Sequence, residues 1–233
     1  MKKLLLLILP LLLFACQRSQ RGSGRITTEN RNLAAFTSVD VAGSIDIELI
    51  QGDKNEVVVE GDDNILKYVE TISSDGVLSV RLKQNTNLRN FTLRLRLTSP
   101  IYKEITAAAS SQIISKNTLT SSDKITVKAS SSSDITLQLD APTVFADASS
   151  SAEITLLGKT KQLDANASSS SNLKLENLKA ETVTANAGSS SSIDVFASVK
   201  LDANANSSAE INYTGGTKNV QKKESSSGSV SAR

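Results

Sequence analysis

Five stretches of the chain repeat one phrase: ASSSSDI at Ala129–Ile135, ASSSAEI at Ala148–Ile154, ASSSSNL at Ala167–Leu173, AGSSSSI at Ala187–Ile193 and ANSSAEI at Ala205–Ile211. The closing aliphatic residue stands at positions 135, 154, 173, 193 and 211, so the steps are 19, 19, 20 and 18 residues. A period in this range marks a stacked solenoid. The apolar positions around the phrase hold constant offsets. Two and four residues before the leading alanine stand Val127/Ile125, Ala146/Val144, Ala165/Leu163, Ala185/Val183 and Ala203/Leu201. Two residues past the closing aliphatic stand Leu137, Leu156, Leu175, Val195 and Tyr213. Each unit therefore reads strand, serine corner, strand. Side chains alternate faces along a strand, so all these apolar positions point the same way. Stacking the units at about 4.8 Å per rung places identical positions above one another. The pattern predicts an all-β fold: a parallel β-helix, or β-solenoid, with rungs of about 19 residues and N-terminal strands leading into it.

The serines at the corner are Ser131, Ser132, Ser150, Ser151, Ser169, Ser170, Ser189, Ser190, Ser207 and Ser208. A small side chain suits a crowded bend, and a hydroxyl can satisfy a backbone group that the bend leaves unpaired. Asn166, Asn186 and Asn204 recur at one outward position and suggest a second ladder. A flexible linker or a glycosylated stalk would also be serine-rich. Neither explains apolar residues at fixed offsets on both sides of the phrase.

The N-terminus has its own signature. Met1-Lys2-Lys3 precedes an almost unbroken apolar run from Leu4 to Phe14. That run is too short to cross a bilayer core as a helix and fits a secretory signal. It closes on Leu13-Phe14-Ala15-Cys16, which resembles a bacterial lipobox. The expectation is a lipoprotein signal over residues 1–15, acyl chains on Cys16 and stable attachment to a membrane. Loss of Lys2 and Lys3 with the signal takes the formal net charge from +2 to zero. No basic arm remains for nucleic acid. Cys16 is the only cysteine and there is no histidine, so no disulfide, cysteine nucleophile or usual transition-metal site is expected, and no cofactor. Aromatic residues make up only 3%, and a solenoid that grips sugars usually needs aromatic platforms, so carbohydrate binding loses weight.

Residues 16–25 are polar and read as a flexible tether. Residues 26–106 read as a β-rich head. Ser44-Ile45-Asp46-Ile47-Glu48-Leu49 alternates strictly, as does Phe91 to Leu97, where Arg94 and Arg96 form a solvated face. Gly61-Asp62-Asp63-Asn64 followed by Ile65–Val69 suggests a helical turn with an Asp or Asn cap. Serine-cornered repeats fill 107–214, with AAASSQI at Ala107–Ile113 as a looser first unit. At 215–233 the inward positions would be Val220, Lys222 and Glu224, so this segment reads as a polar cap or frayed tail.

The lipobox, FTSVDVAGSIDIELIQG at Phe36–Gly52, VVVEGDDNI at Val57–Ile65, DGVLSV at Asp75–Val80 and the repeated A-x-S-S-x-x-I together resemble the DUF2807 family. Its members are described as autotransporter adhesins with a head GIN domain and are common in Bacteroidetes. The resemblance covers roughly 33–215. It implies a β-solenoid and an envelope lipoprotein, and brings no catalytic residues. No C-terminal translocator barrel is read in the chain, so a lipid anchor is the expected attachment.

Two functions remain open on these grounds. One is a non-catalytic binding, adhesion or structural module, sited in the bacterial envelope at the outer membrane. It would be held there through Cys16 and would meet a glycan or protein partner. The other is a polysaccharide-active β-helix enzyme. Asp134, Glu153 and Glu210 share one outward position, and Asp164 and Asp202 share another two rungs apart, a spacing compatible with an inverting glycosidase. Such an enzyme needs a cleft, and no insertion that would build one is read between 125 and 213.

Overall fold

A computed structural model describes residues 19–233. The apolar alternation becomes one continuous parallel stack. From Asp134 onward the chain between corners is a single long bent strand: Asp134–Ala148, Glu153–Ala167, Asn172–Ala187 and Ser192–Ala205. Each pairs with the next in parallel, and the phrase residues lie in register: Ile135 beside Ile154, Ile154 beside Leu173, Leu173 beside Ile193, Ile193 beside Ile211. All five are buried. A second inward column runs Val39, Ile105, Val127, Ala146, Ala165, Ala185 and Ala203. Its change from large to small residues narrows the core beside the serine corners.

The corners have a distinctive backbone. Seven successive turns carry two adjacent residues at positive φ, from Ala109 (54°) and Ser110 (62°) to Ser226 (48°) and Ser227 (65°), and the ten predicted serines form the five turns between them. Two adjacent positive φ angles are the requirement of a type I′ turn. The left-handed region costs a non-glycine residue about 1–2 kcal/mol. The stack offsets that cost with a backbone ladder that does not stop at the bend. The Ser132 N–H donates to the Ser150 carbonyl, Ser151 to Ser169, Ser170 to Ser189, and Ser190 to Ser207, each at 3.0 Å. The side chains of the ten serines point into solvent. The hydroxyls that satisfy buried backbone belong instead to the next residue along. Ser133 Oγ donates to the Ala107 carbonyl at 2.9 Å, Ser171 Oγ to Ala148 at 2.8 Å, and Ser191 Oγ to Ala167 at 2.9 Å. The ten serines thus make the turn, and the buried serine that follows stitches one rung to the previous one.

The head is part of the stack, in an order the chain does not follow. Ser38–Ala42 and Asp46–Gln51 form a rung paired in parallel with Glu104–Ala108 and Gln112–Ser115 on one side. On its other side lie later residues, Val77–Leu82 and Leu93–Ser99. Beyond those, Val69–Ser74, Glu56–Asp62 and Ile26–Arg31 pair antiparallel and close that end. The excursion from 53 to 92 therefore folds back over the end of the solenoid as a cap. Its helical turn is a short 3-10 helix, Leu66–Tyr68, with Ile65 at the N-cap and no side-chain cap.

Asp62 works elsewhere. Its buried carboxylate accepts from the Gly24 N–H at 2.6 Å and the Thr92 N–H at 2.7 Å. Ser23 Oγ donates to Asp63 at 2.5 Å, which holds the Asp63 carboxyl below its ordinary value. Gln20–Arg21 pairs with Leu88–Arg89. The segment expected as a tether is thus strapped to the head from Gln20 onward, because its polar groups meet the Asp62–Asp63–Asn64 turn.

The last residues are not frayed. Asn219–Glu224 and Ser229–Ala232 add one more rung in register. The two inward charges are used by the rung itself. Lys222 Nζ donates to the Val230 carbonyl at 2.8 Å, and Glu224 Oε1 accepts the Val230 N–H at 2.6 Å. Hydrogen-bonded charges end the apolar column and leave an edge unsuited to further stacking.

Candidate binding groove

Between the two faces that meet at the serine corner, each coil has a third side. Here the rungs change length. Asn172–Ala187 has 16 residues and Ser192–Ala205 has 14. In the register between them, Leu175 sits beside Val195 but Lys179 sits beside Phe196, so Glu176, Asn177 and Leu178 have no partner in the next rung. The 20- and 18-residue steps of the period are the sequence trace of this offset, and a cleft lies on this side although no insertion was read.

The cleft is a trough of about 480 Å³. Its floor is the chain at Ala141, Thr160 and Ala180, small buried residues in consecutive register. One wall is the column Asp140, Lys159, Lys179 and Phe196, register partners rung by rung. The other wall carries Pro142, Lys161, Glu181 and Ser198. Long side chains on either side of a small-residue column make the surface concave. Gly158 turns the chain into this side at φ 113°, where a Cβ would collide with the Leu139 carbonyl. Lys159 Nζ lies 3.2 Å from Asp140, and Lys179 Nζ lies 4.2 Å from the centre of the Phe196 ring. Lys179 also donates to the Glu176 carbonyl at 3.1 Å. Among the described residues, neither Lys179 nor Lys161 has a carboxylate ion-pair partner.

The residues singled out in the sequence lie elsewhere. Cys16 is outside the described residues. The ten corner serines form an exposed ridge and do not line the trough. Asp134 and Glu153 are neighbours in register, and Glu153 pairs with Lys174 at 2.7 Å. Burial pushes the Asp134 carboxyl up, the Glu153 charge pushes it further, and Lys174 opposes both. Neither carboxylate lines the trough. Asp164 and Asp202 are separated by Thr184 in the register of a sheet face. Neither lines the trough. Arg94 and Arg96 face the buried Glu48 at 3.9 and 3.5 Å, with Lys116 at 3.4 Å, so this face is an ion-pair lattice. In the asparagine column, Asn186 Nδ2 donates to Asn166 Oδ1 at 3.0 Å.

Comparison with solved structures finds the same fold in Bacteroidetes proteins. A "putative adhesin" from Bacteroides fragilis superposes with a TM-score of 0.81 at 19% identity, over 92% of this chain and 100% of its own. A "putative lipid binding protein" from Parabacteroides distasonis gives 0.75 at 24% identity, over 93% and 100%. A "putative adhesin" from Parabacteroides merdae gives 0.72 at 20%, over 92% and 99%. At these identities the likeness concerns the fold alone. No curated protein matches the sequence. Residues 35–217 match the sequence model of one family, "Putative auto-transporter adhesin, head GIN domain", and the chain therefore belongs to DUF2807.

Proposed function

We propose that the protein is a non-catalytic binding module of the bacterial cell envelope, anchored in the outer membrane through acyl chains on Cys16 and used for adhesion. The observation that carries the binding reading is the third-side trough. It is of ligand size, it is lined by charged side chains and one aromatic ring, and it is built on rungs locked by in-register pairing. A rigid frame with adaptable long side chains suits recognition. The family match and the fold shared with adhesin-like proteins support the same class. The lipobox supports the anchor, and a strap that begins at Gln20 would keep the capped end of the rod close to the membrane.

Two measurements test the reading together. Cells fed an alkyne-bearing fatty acid should label the wild-type chain and not Cys16→Ser, and the variant should leave the membrane fraction. A glycan array probed with the intact protein should show binding without turnover. Label retained by Cys16→Ser removes the anchor, and release of sugar fragments removes the non-catalytic assignment.

A further inference from the structure

We infer that the trough recognises an acidic glycan, a chain bearing uronate carboxylates, by charge rather than by stacking platforms; this rests on the reading of the protein as a binding module. Three ammonium groups border the trough, from Lys159, Lys161 and Lys179. Lys159 is engaged by Asp140. Lys179 is parked over a ring and a carbonyl, partners that a carboxylate exceeds in strength. Lys161 stands one rung from Glu181, bracketed by the register pairs Thr160–Ala180 and Gln162–Thr182, and forms no ion pair with it. Lys159 and Lys179 spring from neighbouring rungs, whose backbones lie about 4.8 Å apart, and their ammonium groups reach opposite ways along the trough, Lys159 toward Asp140 and Lys179 toward Phe196. That arrangement fits an extended ligand lying across several rungs.

The remaining lining decides between kinds of anionic chain. Asp140 and Glu181 add carboxylate acceptors to the same walls, and Ser198 adds a hydroxyl. An acidic sugar offers both counterparts: carboxylates for the lysines and many hydroxyl donors for the acids. An acidic peptide offers few donors beyond its backbone to meet Asp140 and Glu181. Nor does the trough present a free strand edge for a peptide to extend, since its strands are paired on both sides through Lys159 and Lys179. Movement of Lys179 onto a ligand carboxylate would uncover the Phe196 face for one sugar ring.

The test titrates hexagalacturonate, its fully methyl-esterified form and a hexaglutamate peptide into the detergent-solubilised full chain. Hexagalacturonate should bind, more weakly as salt rises, and the ester and the peptide should not. Lys161→Gln combined with Lys179→Gln should weaken binding by about tenfold or more, while Lys223→Gln, on the last rung, should leave it unchanged. Circular dichroism checks the fold of the double variant. If that variant does not fold, Glu181→Lys supplies the second reading and should tighten binding. No binding of hexagalacturonate, equal binding of hexaglutamate, or indifference to these substitutions overturns the inference. A neutral glycan bound on the array in place of hexagalacturonate overturns the acidic class and leaves the binding module standing. Silence on the array together with no binding in the titrations removes both.

Discussion

The capped head and the serine-cornered stack lie on one axis and share one core, yet they are held together differently. In the head, unlike strands are tied by particular side chains. Ser99 Oγ donates to the Phe36 carbonyl at 2.8 Å, Asn55 Nδ2 to the same carbonyl at 2.9 Å, and Tyr102 Oη to the Leu97 carbonyl at 2.8 Å. Asp62 joins three segments at once. In the stack, the main contacts recur from rung to rung. Alanine, serine and aliphatic columns repeat, and the backbone ladder runs unbroken through every corner. The head is specified by cross-links and the stack by periodicity. Damage should therefore stay local in the first and spread in the second, because each rung of a solenoid is supported only by its neighbours.

The strongest way to break this contrast is Ala167→Lys. The residue is buried in the middle of the alanine column, and a charge there has no partner. It should cost about 3–5 kcal/mol and release several rungs together. Hydrogen exchange should show fast amides on both sides of position 167 and slow amides in the head. An unchanged melting temperature would show that the position does not face inward.

A smaller effect sharpens the head. Asp62→Ala leaves the Gly24 and Thr92 N–H groups without their acceptor and should cost about 1–3 kcal/mol. Limited proteolysis should then cut near residues 20–25 while fragments from 104 onward stay intact. Equal loss of protection in the stack would mean that the two regions unfold as one. The mildest change is Ser171→Ala, at about 1 kcal/mol. It removes the stitch to Ala148, but Ser168 N–H keeps the Ala148 carbonyl, and Ala152 and Ala209 already fill the same position in other rungs. A loss as large as that of Ala167→Lys would make the hydroxyl stitch, not the apolar columns, the main support of the stack.

What was legible in the sequence follows the same division. Ala129, Ala148, Ala167, Ala187 and Ala205 announced the stack because identical rungs give identical offsets. The order of the head strands was not legible. Val77–Leu82 and Leu93–Ser99 lie outside Ser38–Gln51 through an antiparallel excursion, and alternation shows that a strand has two faces without showing its neighbour. The docking of Gln20–Arg25 rests on polar contacts across some 40 residues, which leave no local pattern. At the corner, the serines were found but their division of labour was not, since a turn-forming serine and a stitching serine look the same in a run of four. The offset beside the trough rests on one residue gained and then two lost in the period, and such a change is invisible until the neighbouring rungs are laid side by side.

Each long rung meets its successor with the same backbone geometry at every corner. The coil is therefore a unit that a gene can copy or delete whole. One duplicated unit would lengthen the rod by about 4.8 Å and leave its cross-section unchanged. A unit copied between the head and the trough would leave the trough's shape as it is and change its distance from the capped end. The serine corner thus makes reach an inherited variable that can be tuned separately from recognition.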